Sequence, residues 1–167
     1  SWFKINDPTD IKKYNDEGTP YYKMEDLEYN HVDKCVYICV GGMKDGNLGG
    51  IYKFNTLDNT MERWLKCEET GGKLVNPDNI EIDNKGNLYI GEDKTPYNIN
   101  LYGNNSLVKI NYNNPYQIEK LLIGKDNIGE VTGILLNPEH TKLWVNWQNG
   151  YNLKLNKYFN ELTELEL

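Results

Sequence analysis

Hydrophobic and polar residues alternate along most of this chain in short runs broken by Asn, Asp, Gly and Pro. Asp26-Leu-Glu-Tyr-Asn-His-Val-Asp-Lys-Cys-Val-Tyr-Ile38 can be set beside Asp78-Asn-Ile-Glu-Ile-Asp-Asn-Lys-Gly-Asn-Leu-Tyr-Ile90 without a gap, so that Tyr37-Ile38 falls on Tyr89-Ile90. A third copy with one extra turn residue runs Thr132-Gly-Ile-Leu-Leu-Asn-Pro-Glu-His-Thr-Lys-Leu-Trp-Val145. Each copy reads as a strand, a tight turn and a second strand, the signature of a β-hairpin. A second repeated element follows each hairpin: Ile51-Tyr-Lys-Phe-Asn55, Leu107-Val-Lys-Ile-Asn111 and Asn152-Leu-Lys-Leu-Asn156. After the first two copies comes a further extended stretch, Met61–Lys66 and Gln117–Ile123.

Four strands recurring every ~50 residues describe a β-propeller blade. The expected fold is all-β, with about three four-stranded blades at roughly 24–72, 73–127 and 128–167, after a lead-in of residues 1–23. Strands are expected near 34–40, 50–55, 61–66, 79–83, 87–91, 106–111, 117–123, 133–136, 142–147 and 152–156. The tail Phe159–Leu167 fits either a last strand or a short helix, and the strand is favoured. Propellers generally close with about four to eight blades, so three form a partial ring. Its open faces and strand edges call for cover. The chain is therefore expected to pack against another chain, or to be a segment of a longer or nicked polypeptide. Ser1 in place of Met agrees with a processed or trimmed piece.

Composition narrows the classes. Of 167 residues, 12% are aromatic, including 13 Tyr and 4 Trp, which argues against disorder. About one residue in seven is asparagine, a residue suited to tight turns. The net charge of −7 disfavours nucleic acid, whose phosphates need a basic face, and suits cations. No apolar run approaches the ~20 residues of a membrane span, and no signal-peptide pattern opens the chain. Cys35, Cys39 and Cys67 make an odd count and read as buried thiols. Trp64, Trp144 and Trp147 read as packing residues. No Gly-x-Ser-x-Gly elbow and no P-loop ending is present. Asn104-Asn105-Ser106 fits the glycosylation pattern, a common chance match in so Asn-rich a chain.

The turns that enter the first hairpin strands carry oxygen ligands at equivalent places: Glu25-Asp26, Asp78-Asn79 and Glu130. Asp and Asn at such places often serve only as turn formers. Three rotationally related copies would instead converge at the channel mouth, and converging oxygens are what a hard cation such as calcium requires. Glu92-Asp93 adds two carboxylates on the same edge, or a solvated loop end.

Leu74-Val-Asn-Pro-Asp-Asn-Ile80 followed by Gly86-Asn-Leu-Tyr-Ile-Gly-Glu-Asp93 resembles the PhoX-like alkaline phosphatase family. Gly41-Gly42, Gly49-Gly-Ile-Tyr-Lys-Phe-Asn55, Glu130-Val-Thr-Gly133, Asn137-Pro138, Leu143-Trp-Val-Asn146 and Gln148 extend the resemblance over roughly residues 20–150. It implies a calcium-dependent propeller phosphatase, exported in bacteria, with calcium and iron at the channel mouth. Glu25, Asp78, Asn79, Glu92, Asp93 and Glu130 are the metal-site positions it suggests. No catalytic residue is assigned. The family proteins are several times longer, and the region of their iron-bridging cysteine lies upstream. Cys67 echoes that region but precedes the Pro-Asp-Asn turn, so no role is carried over to it. Two functions follow as expectations. One is phosphoester hydrolysis by the completed assembly, the isolated chain being inactive. The other is a non-catalytic calcium-binding or structural propeller module docked on another chain.

Overall fold

The computed structural model describes residues 21–42, 47–124, 129–152 and 157–167. Three antiparallel sheets follow one another along the chain. The first is a meander of β1 (Lys23–Asn30), β2 (Cys35–Gly41), β3 (Gly50–Asn55) and β4 (Thr60–Lys66). The second contains β5 (Pro77–Ile82), β6 (Leu88–Glu92), β7 (Ser106–Asn111) and β8 (Asn114–Ile123). The third contains β9 (Glu130–Leu136), β10 (Lys142–Asn152) and β11 (Lys157–Glu166). This is an all-β partial propeller. The tail is a strand, paired along β10 from Lys142↔Glu166 to Asn152↔Lys157. Residues 153–156, most of the strand expected at 152–156, lie outside the described residues, as do 1–20 of the lead-in. The third sheet accordingly carries three described strands.

The alternating pattern explains how the sheets stack. In β6 and β7, Leu88, Ile90, Val108 and Ile110 point to the first sheet, where they meet Tyr37, Cys39, Ile51 and Leu65. Tyr89 and Leu107 point the other way, against Val131, Ile134, Leu136, Leu143 and Val145 of the third sheet. The middle sheet is thus buried on both faces, and its inner strands read as nearly unbroken apolar runs. Each fully buried Leu or Ile contributes about 1.5–3 kcal/mol through the area it removes from water. Cys35, Cys39 and Cys67 are free thiols inside the first of these cores. Trp64 packs against that core edge-on to Tyr37, with centroids 5.0 Å apart, and Trp147 packs on the second.

Asparagine and aspartate do close the turns. Asp33 Oδ1 accepts from Cys35 N, Asp83 Oδ1 from Lys85 N and Asn87 N, and Asn137 Oδ1 from Thr141 N and Lys142 N. Two elements are unforeseen, a short 3-10 turn at Cys67–Thr70 and α1 (Pro96–Tyr102), a seven-residue helix between β6 and β7. The signals for α1 are in the sequence, since Thr95 caps the N–H of Asn98, Pro96 opens the first turn and Gly103 follows the last.

The strands β1, β5 and β9 lie at one edge of their sheets and pack on one another in succession. All three break register, β1 and β5 near their starts, between Met24 and Leu27 and between Pro77 and Ile80, and β9 in mid-strand, between Thr132 and Leu135 opposite Trp144 and Asn146 of β10. A bulge of this kind leaves a backbone N–H unpaired and turns side chains outward. The freed groups are taken by the preceding blade. Asp26 Oδ2 accepts from Ile80 N at 3.2 Å, and Asn79 Oδ1 accepts from Gly133 N at 2.7 Å. The register pairs Leu27 with Ile38 and Ile80 with Ile90, so Asp26 matches Asn79 rather than Asp78, one residue away from the gapless alignment.

Candidate metal centre

Carboxylates gather at one end of the inner strands, at a bulge and at two strand ends. Asp78 sits in the β5 bulge, Asp93 directly follows β6, and Glu130 opens β9. Their carboxylate oxygens lie within 4.8 Å of one another, although they come from two sheets. Burial and the negative charges of Glu25 and Asp93 push the Asp78 carboxyl up to about 6. Burial, with Asp93, Asp78 and Glu25, pushes Glu130 up to about 7. Like charges held together in a partly dry place resist ionising, and a cation relieves that strain. Glu25, on β1, therefore belongs to the same electrostatic group. Its side chain pairs with Lys23, whose Nζ lies 2.5 Å from Glu25 Oε1 and 3.4 Å from Asp93 Oδ2.

Asn79 has a different place. Its amide nitrogen donates to Asp78 Oδ1, while its oxygen is engaged by Gly133 N. It orients Asp78 and ties β5 to β9. Glu92 is set apart altogether, fully buried behind the cluster. Its Oε1 accepts from Val75 N at 2.8 Å, and its Oε2 accepts from Ser106 N and Oγ and pairs with Lys94 Nζ at 2.7 Å. Both oxygens are occupied, which makes Glu92 a brace for the segment that carries Asp93.

Two further residues shape the centre. Asn76 has a left-handed backbone (φ 50°) and joins two sheets: its Oδ1 accepts from Gly42 N, and its Nδ2 donates to the carbonyl of Asp93. Its N–H donates to Leu48 O, and its carbonyl accepts from Asp93 N. Asn105 accepts from Lys94 N at 2.7 Å and donates to Gly129 O at 2.7 Å, fixing the approach to Glu130. In the glycosylation-like triplet Asn105 and Ser106 are buried, and Asn104, the acceptor position, is half-buried. Asn76 had a signal, its place in the Asn-Pro-Asp-Asn run, but nothing in its spacing showed that it spans two sheets.

The model of the alkaline phosphatase PhoX family matches residues 51–150. The chain belongs to that family. Among solved structures, it is similar to PhoX from Pseudomonas fluorescens, determined in complex with vanadate, a transition state analogue. The TM-score is 0.68 at 19% identity, over 87% of this chain and 34% of that one. The chain therefore spans about a third of the Pseudomonas PhoX chain. It is also similar to a putative conserved lipoprotein from Clostridium novyi, with a TM-score of 0.55 and 15% identity, over 90% of this chain and 91% of that one. At these identities the likeness is one of fold. A search of the curated proteins gave no match.

Proposed function

We propose that this PhoX-family chain supplies about three blades, at 24–72, 73–127 and 128–167, of a metal-dependent phosphoester hydrolase whose remaining blades come from another chain or from the rest of a longer polypeptide. The observation that carries this reading is the convergence of Asp78, Asp93 and Glu130 from two sheets within 4.8 Å. The donor set fits calcium: carboxylate oxygens suit a hard cation, and two of the three are ionised with difficulty until one is present. Asp78, Asp93 and Glu130 would hold it, with Glu25 nearby. When bound, such an ion polarises phosphoryl oxygens and neutralises their charge.

What the chain's own residues do is positional. Asn79 and Asn76 hold Asp78 and Asp93 in place, Glu92 and Lys94 brace the strand end beneath them, and Asn105 fixes the loop leading to Glu130. Cys67 offers iron no thiolate ligand. Cys67 is fully buried, and burial raises its thiol well above the ordinary range, which disfavours the thiolate a metal would need. Export is proposed from the family alone. No helix among the described residues is long and apolar enough to cross a membrane.

A specific observation favours the second reading, a calcium-binding module without catalysis of its own. Arg63, the single arginine of the chain, is committed to Gly49 O at 2.7 Å and Glu68 at 3.0 Å. The isolated chain is thus expected to be inactive. A chromogenic phosphomonoester assay with calcium, run on the isolated chain and on the intact protein, separates the two. Activity of the intact protein that is lost on Glu130→Gln supports hydrolysis. An intact protein that binds calcium and hydrolyses nothing supports the module.

A further inference from the structure

Lys23 opens β1 with its ammonium inside the acidic group, 2.5 Å from Glu25 Oε1 and 3.4 Å from Asp93 Oδ2. Gly41 on the paired strand lies beside this reach: a Cβ there would make ordinary van der Waals contact, 3.4 Å from Lys23 Cδ and 3.6 Å from Glu25 Oε1. Among the described residues no other lysine or arginine forms an ion pair with Glu25, Asp78, Asp93 or Glu130. The Lys23 side chain is 50% exposed, so its head can leave for water without first crossing a dry interior.

We propose that Lys23 is the built-in counter-ion of this cluster, seated there when no metal is bound and displaced into solvent by a divalent cation, so that it sets the affinity of the centre for that cation. The inference rests on the cluster being a cation site. An ammonium can only donate hydrogen bonds, so it consumes the lone pairs a metal would use and contributes none. Its positive charge also repels an incoming ion. A lysine suits the task because it is a compact, hydrated charge on a flexible stem, unlike the planar guanidinium of arginine.

The test is calcium titration by calorimetry on the intact protein in wild-type, Lys23→Met, Lys23→Arg and Lys66→Met forms, with mass-spectrometric acetylation of Lys23 as a second readout. Lys66 pairs with Glu69 on the outer side of the first sheet and serves as the remote control. Removing one unit charge at this range tightens calcium binding on the order of tenfold in Lys23→Met. Lys23→Arg and Lys66→Met stay near wild type, and calcium speeds the acetylation of Lys23. Equal or weaker binding by Lys23→Met, or acetylation indifferent to calcium, overturns the inference while leaving the metal centre standing. Calcium binding to neither wild type nor Lys23→Met overturns the metal centre and this inference with it.

Discussion

Glu92→Gln is expected to cost far more than its conservative shape suggests. The carboxylate and the Lys94 ammonium are both fully buried, 2.7 Å apart. Glutamine keeps the volume and one acceptor oxygen, but it faces Val75 N, Ser106 N and Ser106 Oγ with a single carbonyl. It also leaves the Lys94 ammonium with only the carbonyl of Asn104, at 2.8 Å. Burial already holds Lys94 below its ordinary basicity, so losing the counter-charge drives it toward the neutral amine. Breaking a buried pair from one side costs about 3–5 kcal/mol, a large part of the ~5–15 kcal/mol that holds a typical domain together. Lys94→Met should cost less, about 2–3 kcal/mol, because Glu92 retains three donors. The double variant Glu92→Gln/Lys94→Met buries no charge, and its cost should fall short of the sum of the singles by at least about 1 kcal/mol. Urea unfolding of the intact protein, followed by tryptophan fluorescence, measures all three. A loss under about 1 kcal/mol for Glu92→Gln, or strict additivity in the double variant, would refute the assignment of Glu92 as a charge-paired brace.

Two further outcomes follow from the structure. In chelator, Asp78 at about 6 and Glu130 at about 7 hold protons that the unfolded chain has already released, so stability falls as the pH rises from about 4 to about 7. Both groups are partly exposed and coupled, which limits the change to on the order of 1–2 kcal/mol; saturating calcium should reverse the trend and Asp78→Asn/Glu130→Gln should flatten it, as melting temperatures across that range will record. At the junction of the second and third sheets, a Cβ on Gly91 would lie 2.8 Å from both Val131 Cγ1 and Val131 O. Gly91→Ala should therefore cost about 1–3 kcal/mol, and Val131→Ala should restore only part of it, since the backbone oxygen stays; full recovery in the double variant would contradict the packing described here.

The repeat was legible because each blade spells its hairpins twice over, in alternation and in turn residues. The Lys-centred strands at 51–55 and 107–111 appear as β3 and β7, each the third strand of its sheet. The hairpin repeat implies β1, but no range is expected for it from the pattern, because Lys-Met-Glu-Asp-Leu-Glu carries little apolar signal. It is a strand because its neighbour β2 pairs with it, a tertiary cause that propensity does not register. The site was legible by residue type and less so by geometry. Alternation cannot reveal a bulge, yet bulges decide which of Asp78 and Asn79 enters the cluster and which bonds to Gly133. Likewise Glu92 and Asp93 are adjacent in sequence and opposite in direction: one closes a buried strand end, the other begins the exposed edge.

Calcium binding to the intact protein, with and without Asp78→Asn/Glu130→Gln, decides whether this cluster is a metal centre. Glu119→Gln, on the exposed outer strand β8, is the control. Asp78, Asp93 and Glu130 stand within 4.8 Å of one another, so replacing two of them leaves one carboxylate where six to eight oxygens are needed. Calorimetric titration should show that the double variant binds one calcium ion fewer than wild type, while Glu119→Gln keeps the full number. The same number of ions bound at the same affinity in all three proteins would mean that these carboxylates shape the blade ends and hold no metal.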